Sequence, residues 1–296
     1  MADRGIDVVR AHLAKLPPAD SLTTAERRAQ YERAEKVFPT PPEVKVERVS
    51  APAAPAEWLR PPGAAAGRVV LYLHGGGYVI GSPRSHRHLA AAIASAAAAS
   101  ALLLDYRLAP EHPFPAAVDD ATAAYRWLLD QAIAPEDVVI AGDSAGGGLT
   151  VATLLALRDA HVPLPAGGVC ISPWVDLTCS GESYRTKADV DPIVRRAGVA
   201  EMATAYLGSA SARTPLASPL FADLRGLPPL LIHVGGDEVL LDDAVQLAAR
   251  AKAAGVETTI EVWERMIHVW HWFLPMLDEA HAAVEGIGRF TRARTA

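Results

Sequence analysis

The sequence predicts an α/β domain built on a mostly parallel sheet with helices on both faces. Three observations carry that expectation. Short apolar runs at 69–73, 101–104, 138–141, 169–171, 230–234 and 259–262 alternate with helix-like stretches at 86–99, 116–131, 149–160, 243–254 and 270–292. Runs such as 138–141 are β-branched and uncharged, without polar alternation, as in strands buried on both faces. At 296 residues with 50% hydrophobic content, the chain can bury a substantial core as one large domain, with or without an elaboration.

Taken in order, residues 6–16 and 23–37 have helical spacing. Ser21-Leu22-Thr23-Thr24 before Glu26 reads as a capped start, and Pro17-Pro18 separates the two stretches. Both are amphipathic and charged, as a lid or flank would be. Residues 44–49 alternate apolar with charged, which suits a strand with one solvated face, and 57–60 is its expected partner. Pro61-Pro62-Gly63 and Gly67 mark the turn into the regular α/β pattern. One connection is out of proportion: residues 172–227 separate two strands where about a dozen would suffice. They include a helix-like 193–206, and surplus chain at the carboxyl end of a sheet is where a lid over a site is expected. No linker to a second domain and no internal repeat is present in the sequence.

Composition narrows the partners. A net charge of −6 and a pI of about 5.9 give no basic excess for nucleic acid or an anionic membrane, so a small neutral or apolar substrate is expected. Residues 89–104 form the longest run of low polarity, dominated by alanine and interrupted by Ser95 and Ser100. This run is too short and too weakly apolar to span a bilayer, so no stable membrane insertion is expected. Asp3, Arg4, Asp7 and Arg10 leave the N-terminus without the apolar core of a secretory signal, and a cytoplasmic location is expected. Cys170 and Cys179 have no metal-site spacing, and Cys170 reads as a small core residue.

Chemistry is concentrated in three places. Gly142-Asp143-Ser144-Ala145-Gly146 fits G-x-S-x-G between an apolar strand and an apolar helix. Such a turn pushes the serine hydroxyl out of the sheet, and the following N–H, on Ala145, opens the helix toward a developing anion. Upstream, His74-Gly75-Gly76-Gly77-Tyr78 follows another strand, and its glycines leave backbone N–H groups open for the other half of an oxyanion hole. His74 itself reads as a brace for the loop. In 105–115, Arg107 with Asp105 or Glu111 is expected to form a buried ionic brace.

A serine hydroxyl needs a base, and the base an orienting acid, in the chain order serine, acid, histidine. His161 ends the helix leaving the elbow and His233 lies within a strand, so neither is well placed. His268 lies in the loop after the last strand, and His271, which enters the final helix, is held in reserve. The acid should leave strand 230–234. Asp242 and Asp243 look like the cap of the next helix, Asp143 points the wrong way, and residue chemistry alone leaves Asp237 and Glu238 open.

HGGG at 74–77, DYRLAPEHPFPAA at 105–117, GDSAGG at 142–147 and the His268 loop together resemble the hormone-sensitive-lipase-like esterases, the HGGG-bearing branch of the α/β-hydrolases. The resemblance runs from about residue 44 onward. It implies the α/β-hydrolase fold with a helical cap. On that basis residues 1–40 are the N-terminal part of the cap, 175–212 its insertion, and 41–174 with 213–296 the core. Also implied are carboxylic-ester hydrolysis without a cofactor or metal, short to medium acyl groups, a small-molecule ester as partner, and often a homodimer. The family's D-P-L-x-D-E segment falls on Glu238-Val239-Leu240-Leu241-Asp242-Asp243, which places the acid at Glu238, with glutamate for aspartate and valine for proline. The catalytic set implied is Ser144, Glu238 and His268, with Gly76, Gly77 and Ala145 as oxyanion donors. A lactonase or amidase using the same residues is the rival among enzymes. A noncatalytic receptor, like the gibberellin receptors that lack the histidine, is the rival outside them.

Overall fold

The computed structural model describes residues 3–15, 22–52 and 54–296. The chain opens with α1 (Asp3–Leu13), α2 (Thr24–Glu32) and the single turn α3 (Ala34–Val37). Thr23 caps α2 and closes a capping box with Glu26, which satisfies two otherwise unpaired donors. The expected helix 23–37 is broken at Arg33, where bonding tightens to i→i+3: Arg33 N–H donates to Gln30, and Lys36 N–H to Arg33. Pro17-Pro18 and Ser21, read as separator and start signal, lie outside the described residues.

The rest alternates strand and helix as the apolar periodicity predicts. The elements are β1 (Lys45–Ser50), β2 (Pro55–Arg60), β3 (Val69–Leu73), α4 (Pro83–Ala96), β4 (Ser100–Leu104), α5 (Ala116–Asp130), β5 (Val138–Asp143), α6 (Ala145–Asp159) and β6 (Gly167–Ile171). There follow α7 (Ser183–Thr186), α8 (Arg196–Leu207), β7 (Leu230–Gly235), α9 (Leu241–Ala253), β8 (Thr258–Trp263) and α10 (Asp278–Arg294). The strands form one sheet in the order β1-β2-β4-β3-β5-β6-β7-β8. β2 runs antiparallel to both its neighbours, and all other pairings are parallel.

Strands β3 to β7 are buried along their whole length, and their side chains alternate between two cores. Leu71, Leu73 and Ile140 enter the core with Ala121 of α5 and Leu149 of α6. Val70, Tyr72 and Val139 enter the opposite one, with Ile93 of α4 and Val284 of α10. Burying each such leucine, isoleucine or valine contributes about 2 kcal/mol, which is why continuous apolar runs occupy these positions. β1 departs from its expected half-burial: it is a sheet edge, and even Val46 is 40% exposed.

Two other expectations change. The stretch 270–292 is a 3-10 segment, Trp270–Met276, followed by α10; Pro275 supplies no N–H and Leu277 is extended between them. Arg107 pairs with Asp120 of α5 at 2.7 Å, not with Asp105 or Glu111, because α5 presents a fully buried carboxylate beside the loop. Glu111 is taken by Arg28 of α2 at 2.7 Å.

The long connection between β6 and β7 holds α7 and α8. Tyr206 of α8 stacks on Tyr78 with ring centroids 3.8 Å apart, which fixes this helix over the loop that follows β3. Asp242 and Asp243 do not cap α9, whose N-cap is Leu240. Asp243 instead accepts the N–H groups of Val175 and Asp176, and Asp242 accepts that of Ser183, so both hold the insertion.

Candidate active site

The turn from β5 into α6 places Ser144 at φ 54°, ψ −119°, a conformation a serine adopts only at a cost of about 1–3 kcal/mol. Its neighbours enforce it. A Cβ at Gly146 would stand 1.9 Å from the carbonyl oxygen of Leu73, so only glycine lets the turn pack against β3. Ser144 N–H donates to Ile171 O at 2.8 Å, and its carbonyl accepts the N–H groups of Trp174 and Gly148. Within 138–150 every residue is buried except Ser144, which is half-buried.

His268 leaves the loop after β8. Its Nε2 lies 3.0 Å from Ser144 Oγ, and its Nδ1 lies 3.0 Å from Glu238 Oε2. Glu238 follows β7, is fully buried, and accepts the Gly235 N–H on its other oxygen at 3.2 Å. The backbone after His268 is fixed as well: Val269 is left-handed at φ 49°, and its N–H donates to Ser172 Oγ at 3.1 Å. Burial disfavours the charged imidazolium, but the bond to Glu238 and its negative charge outweigh this and hold the His268 pKa above the usual 6.5. Burial pushes Glu238 upward, opposed by the same bond to His268. The arrangement is a hydroxyl in reach of a base whose far nitrogen is held by an acid, which is what activation of a serine requires.

The other candidates are used elsewhere. Asp237, left open beside Glu238 on residue chemistry alone, faces outward to Arg10 of α1 at 2.8 Å and Lys187 at 3.6 Å. His271 turns into the core, its Nε2 3.1 Å from His233 Nδ1; burial depresses both imidazoles, His233 to about 3. His74 is buried and stacked on Tyr106 at 4.2 Å.

Asp143 is turned away from His268 toward the glycine loop. It accepts Tyr72 O–H at 2.8 Å and the Gly75 N–H at 3.1 Å, and it lies 3.4 Å from His86. The Gly75 N–H is thereby committed, whereas those of Gly76, Gly77 and Ala145 are bonded to no group among the described residues. Gly76 and Gly77 have φ of 111° and 61°. Met202 of α8 packs so closely on Gly77 that a Cβ there would lie 2.2 Å from its sulfur.

Two buried groups around the site were not read from the sequence. Ser172 holds Val269, and Asp191, in the insertion, bonds the N–H of Val239 beside Glu238. Asp191-Pro192 is a turn signal, but nothing in residue order places that turn against β7.

Comparison with known proteins identifies the family. A family model described as the alpha/beta hydrolase fold, Abhydrolase_3, matches residues 70–272. An acetyl-hydrolase of Streptomyces hygroscopicus is 51% identical over 269 residues, 91% of this chain and 90% of that one. An esterase of Acinetobacter venetianus is 34% identical, over 86% of this chain and 84% of its own. Among solved structures, an esterase from the bacterial hormone-sensitive lipase family superposes with a TM-score of 0.94 at 51% identity, covering 100% of this chain and 98% of that one. EstE5, soaked with p-nitrophenyl butyrate, gives a TM-score of 0.95 at 51% identity, with 98% of each chain covered. With the elbow, the HGGG loop and a matched family model spanning most of its length, the chain belongs to the hormone-sensitive-lipase-like branch of the α/β-hydrolases and is a carboxylic ester hydrolase.

Proposed function

We propose that Ser144, His268 and Glu238 carry out hydrolysis of short- to medium-chain carboxylic esters through an acyl-enzyme. The observation that carries the reading is the continuous hydrogen-bonded line from Ser144 Oγ through His268 to Glu238, 3.0 Å at each step. Ser144 Oγ attacks the ester carbonyl while His268 Nε2 takes its proton, and the carbonyl oxygen becomes an anion facing the uncommitted N–H groups of Gly76, Gly77 and Ala145. Collapse expels the alcohol, which receives the proton from His268. Water then attacks the acyl-serine with His268 again as base, releasing the acid and restoring Ser144. Glu238 holds His268 with Nδ1 protonated and stabilises the imidazolium. Every step uses the chain's own groups and water.

The short acyl preference is supported by the name of the acetyl-hydrolase relative and by the butyrate ester soaked into EstE5. The division into a cap of residues 1–40 and 175–212 over a core of 41–174 and 213–296 is part of the same proposal. Supporting it, α2 reaches the 105–115 loop through Arg28, and α8 lies on Tyr78. Among the described residues no helix is long and apolar enough to cross a membrane. The homodimer rests on the family resemblance alone. His268 within bonding distance of Ser144 supports catalysis over a purely receptor role. The test is hydrolysis of p-nitrophenyl acetate and butyrate by the wild type and Ser144→Ala. A loss of roughly 10⁴-fold or more in kcat is expected, and equal rates would refute the assignment.

A further inference from the structure

Asp191 lies in the insertion between β6 and β7, is 1% exposed, and has no part in the chemistry above. Its two carboxylate oxygens do different things. Oδ1 accepts the N–H groups of Ile193 and Val194, each at 2.9 Å, and so folds the insertion's own turn. Oδ2 crosses to the acid loop and accepts the N–H of Val239, the residue directly after Glu238, at 2.9 Å. A proline at 239, as in the D-P-L pattern this segment resembles, would have no N–H to offer. Valine leaves a buried donor there, and Asp191 satisfies it.

Resting on the assignment of Ser144, His268 and Glu238, we propose that Asp191 is a positioning residue, fixing the backbone beside Glu238 and so the bond from Glu238 to His268. The insertion thereby becomes part of what holds the acid in place. The charge of Asp191 acts in the same neighbourhood. Glu238 and His268 both feel it, and Asp143 at the elbow also acts on His268. On the insertion, Asp191 N–H donates to Lys187 O, and the neighbouring Val190 O is held by Arg10 of α1, which also bonds Asp237 and Arg265 O. Burial lowers the His268 pKa, the bond to Glu238 and its charge raise it, and the charge of Asp191 adds to that rise.

Asp191→Asn tests both roles. One asparagine oxygen cannot serve both sides, so the amide confronts either the Val239 N–H or those of Ile193 and Val194, donor against donor. We expect kcat for p-nitrophenyl acetate to fall about tenfold with KM little changed, and the acid limb of kcat/KM to move down by roughly half a pH unit. Val239→Pro removes the N–H and keeps the charge, so its limb should stay at the wild-type pH. In that background the donor conflict with the acid loop is gone, and adding Asp191→Asn should cost less than about threefold in kcat, while the limb still moves down. A wild-type kcat and unmoved limb in Asp191→Asn, or an equal loss in both backgrounds, would overturn the proposal. Should Asp191→Asn alone fail to fold, the double variant still reads the limb, and an unmoved limb there overturns it too. Full activity in Ser144→Ala would instead remove the underlying assignment, whatever Asp191 does.

Discussion

At the level of single residues, the choice between two neighbouring carboxylates decides the chemistry. Asp237 and Glu238 are adjacent, but only Glu238 turns inward to His268, while Asp237 binds Arg10 and Lys187 at the surface. Glu238→Gln should therefore lower kcat by roughly 10³-fold or more, whereas Asp237→Asn should change it by less than about threefold. The pH profile carries a second sign. His268 works as a base only when neutral, so kcat/KM falls as pH drops through its pKa, which Glu238 holds above 6.5. Loss of the Glu238 charge removes that support, and the acid limb of Glu238→Gln should move to lower pH; a limb that stays or rises speaks against the pairing. Residue chemistry alone could not separate these two acids, because direction from a turn is a backbone property. Ser144 and His268 were legible, one from the glycines that make the elbow possible, the other from its place after the last strand.

Among the elements, α1 is tied in by Arg10. Its guanidinium bonds the Asp237 carboxylate, Val190 O and Arg265 O, joining the N-terminal helix to the insertion, the acid loop and the loop that leads to His268. The ion pair is only about three-quarters buried, with side chains 26% and 27% exposed, so its worth is modest. Arg10→Ala should lower Tm by roughly 1–2 °C and speed proteolytic cleavage within the first 40 residues, followed by gel and mass mapping. An unchanged cleavage rate would show that the helix is held by Ile6 and Val9 in the core without help from Arg10.

Most elements were visible because their pattern has one physical cause: continuous apolar runs mark strands covered on both faces. Where several causes compete, the sequence was less clear. The helix expected over 270–292 splits at Pro275 and Leu277 because the chain must turn after placing Trp270 in the core. Arg107 took its partner from the helix that follows its loop, and the pair Asp242-Asp243 took theirs from the distant insertion and its approach, which local spacing cannot reveal.

Over the whole molecule, the parallel sheet gathers residues far apart in sequence. Ser144, Glu238 and His268 leave β5, β7 and β8 at the same carboxyl edge, with the HGGG loop following β3 beside them. That convergence follows from strand alternation with helical crossovers, so it could be anticipated from chain order. The seating of the insertion could not, since its contacts, Tyr206 on Tyr78, Met202 on Gly77 and Asp191 on Val239, are set by tertiary packing rather than periodicity. The most direct measurement of the central claim is covalent. Treatment with a p-nitrophenyl phosphonate should release one p-nitrophenolate per chain and add one phosphonyl group, mapped by peptide mass analysis to Ser144, with no label on Ser144→Ala. Labelling of another residue, or equal labelling of the variant, would contradict Ser144 as the nucleophile.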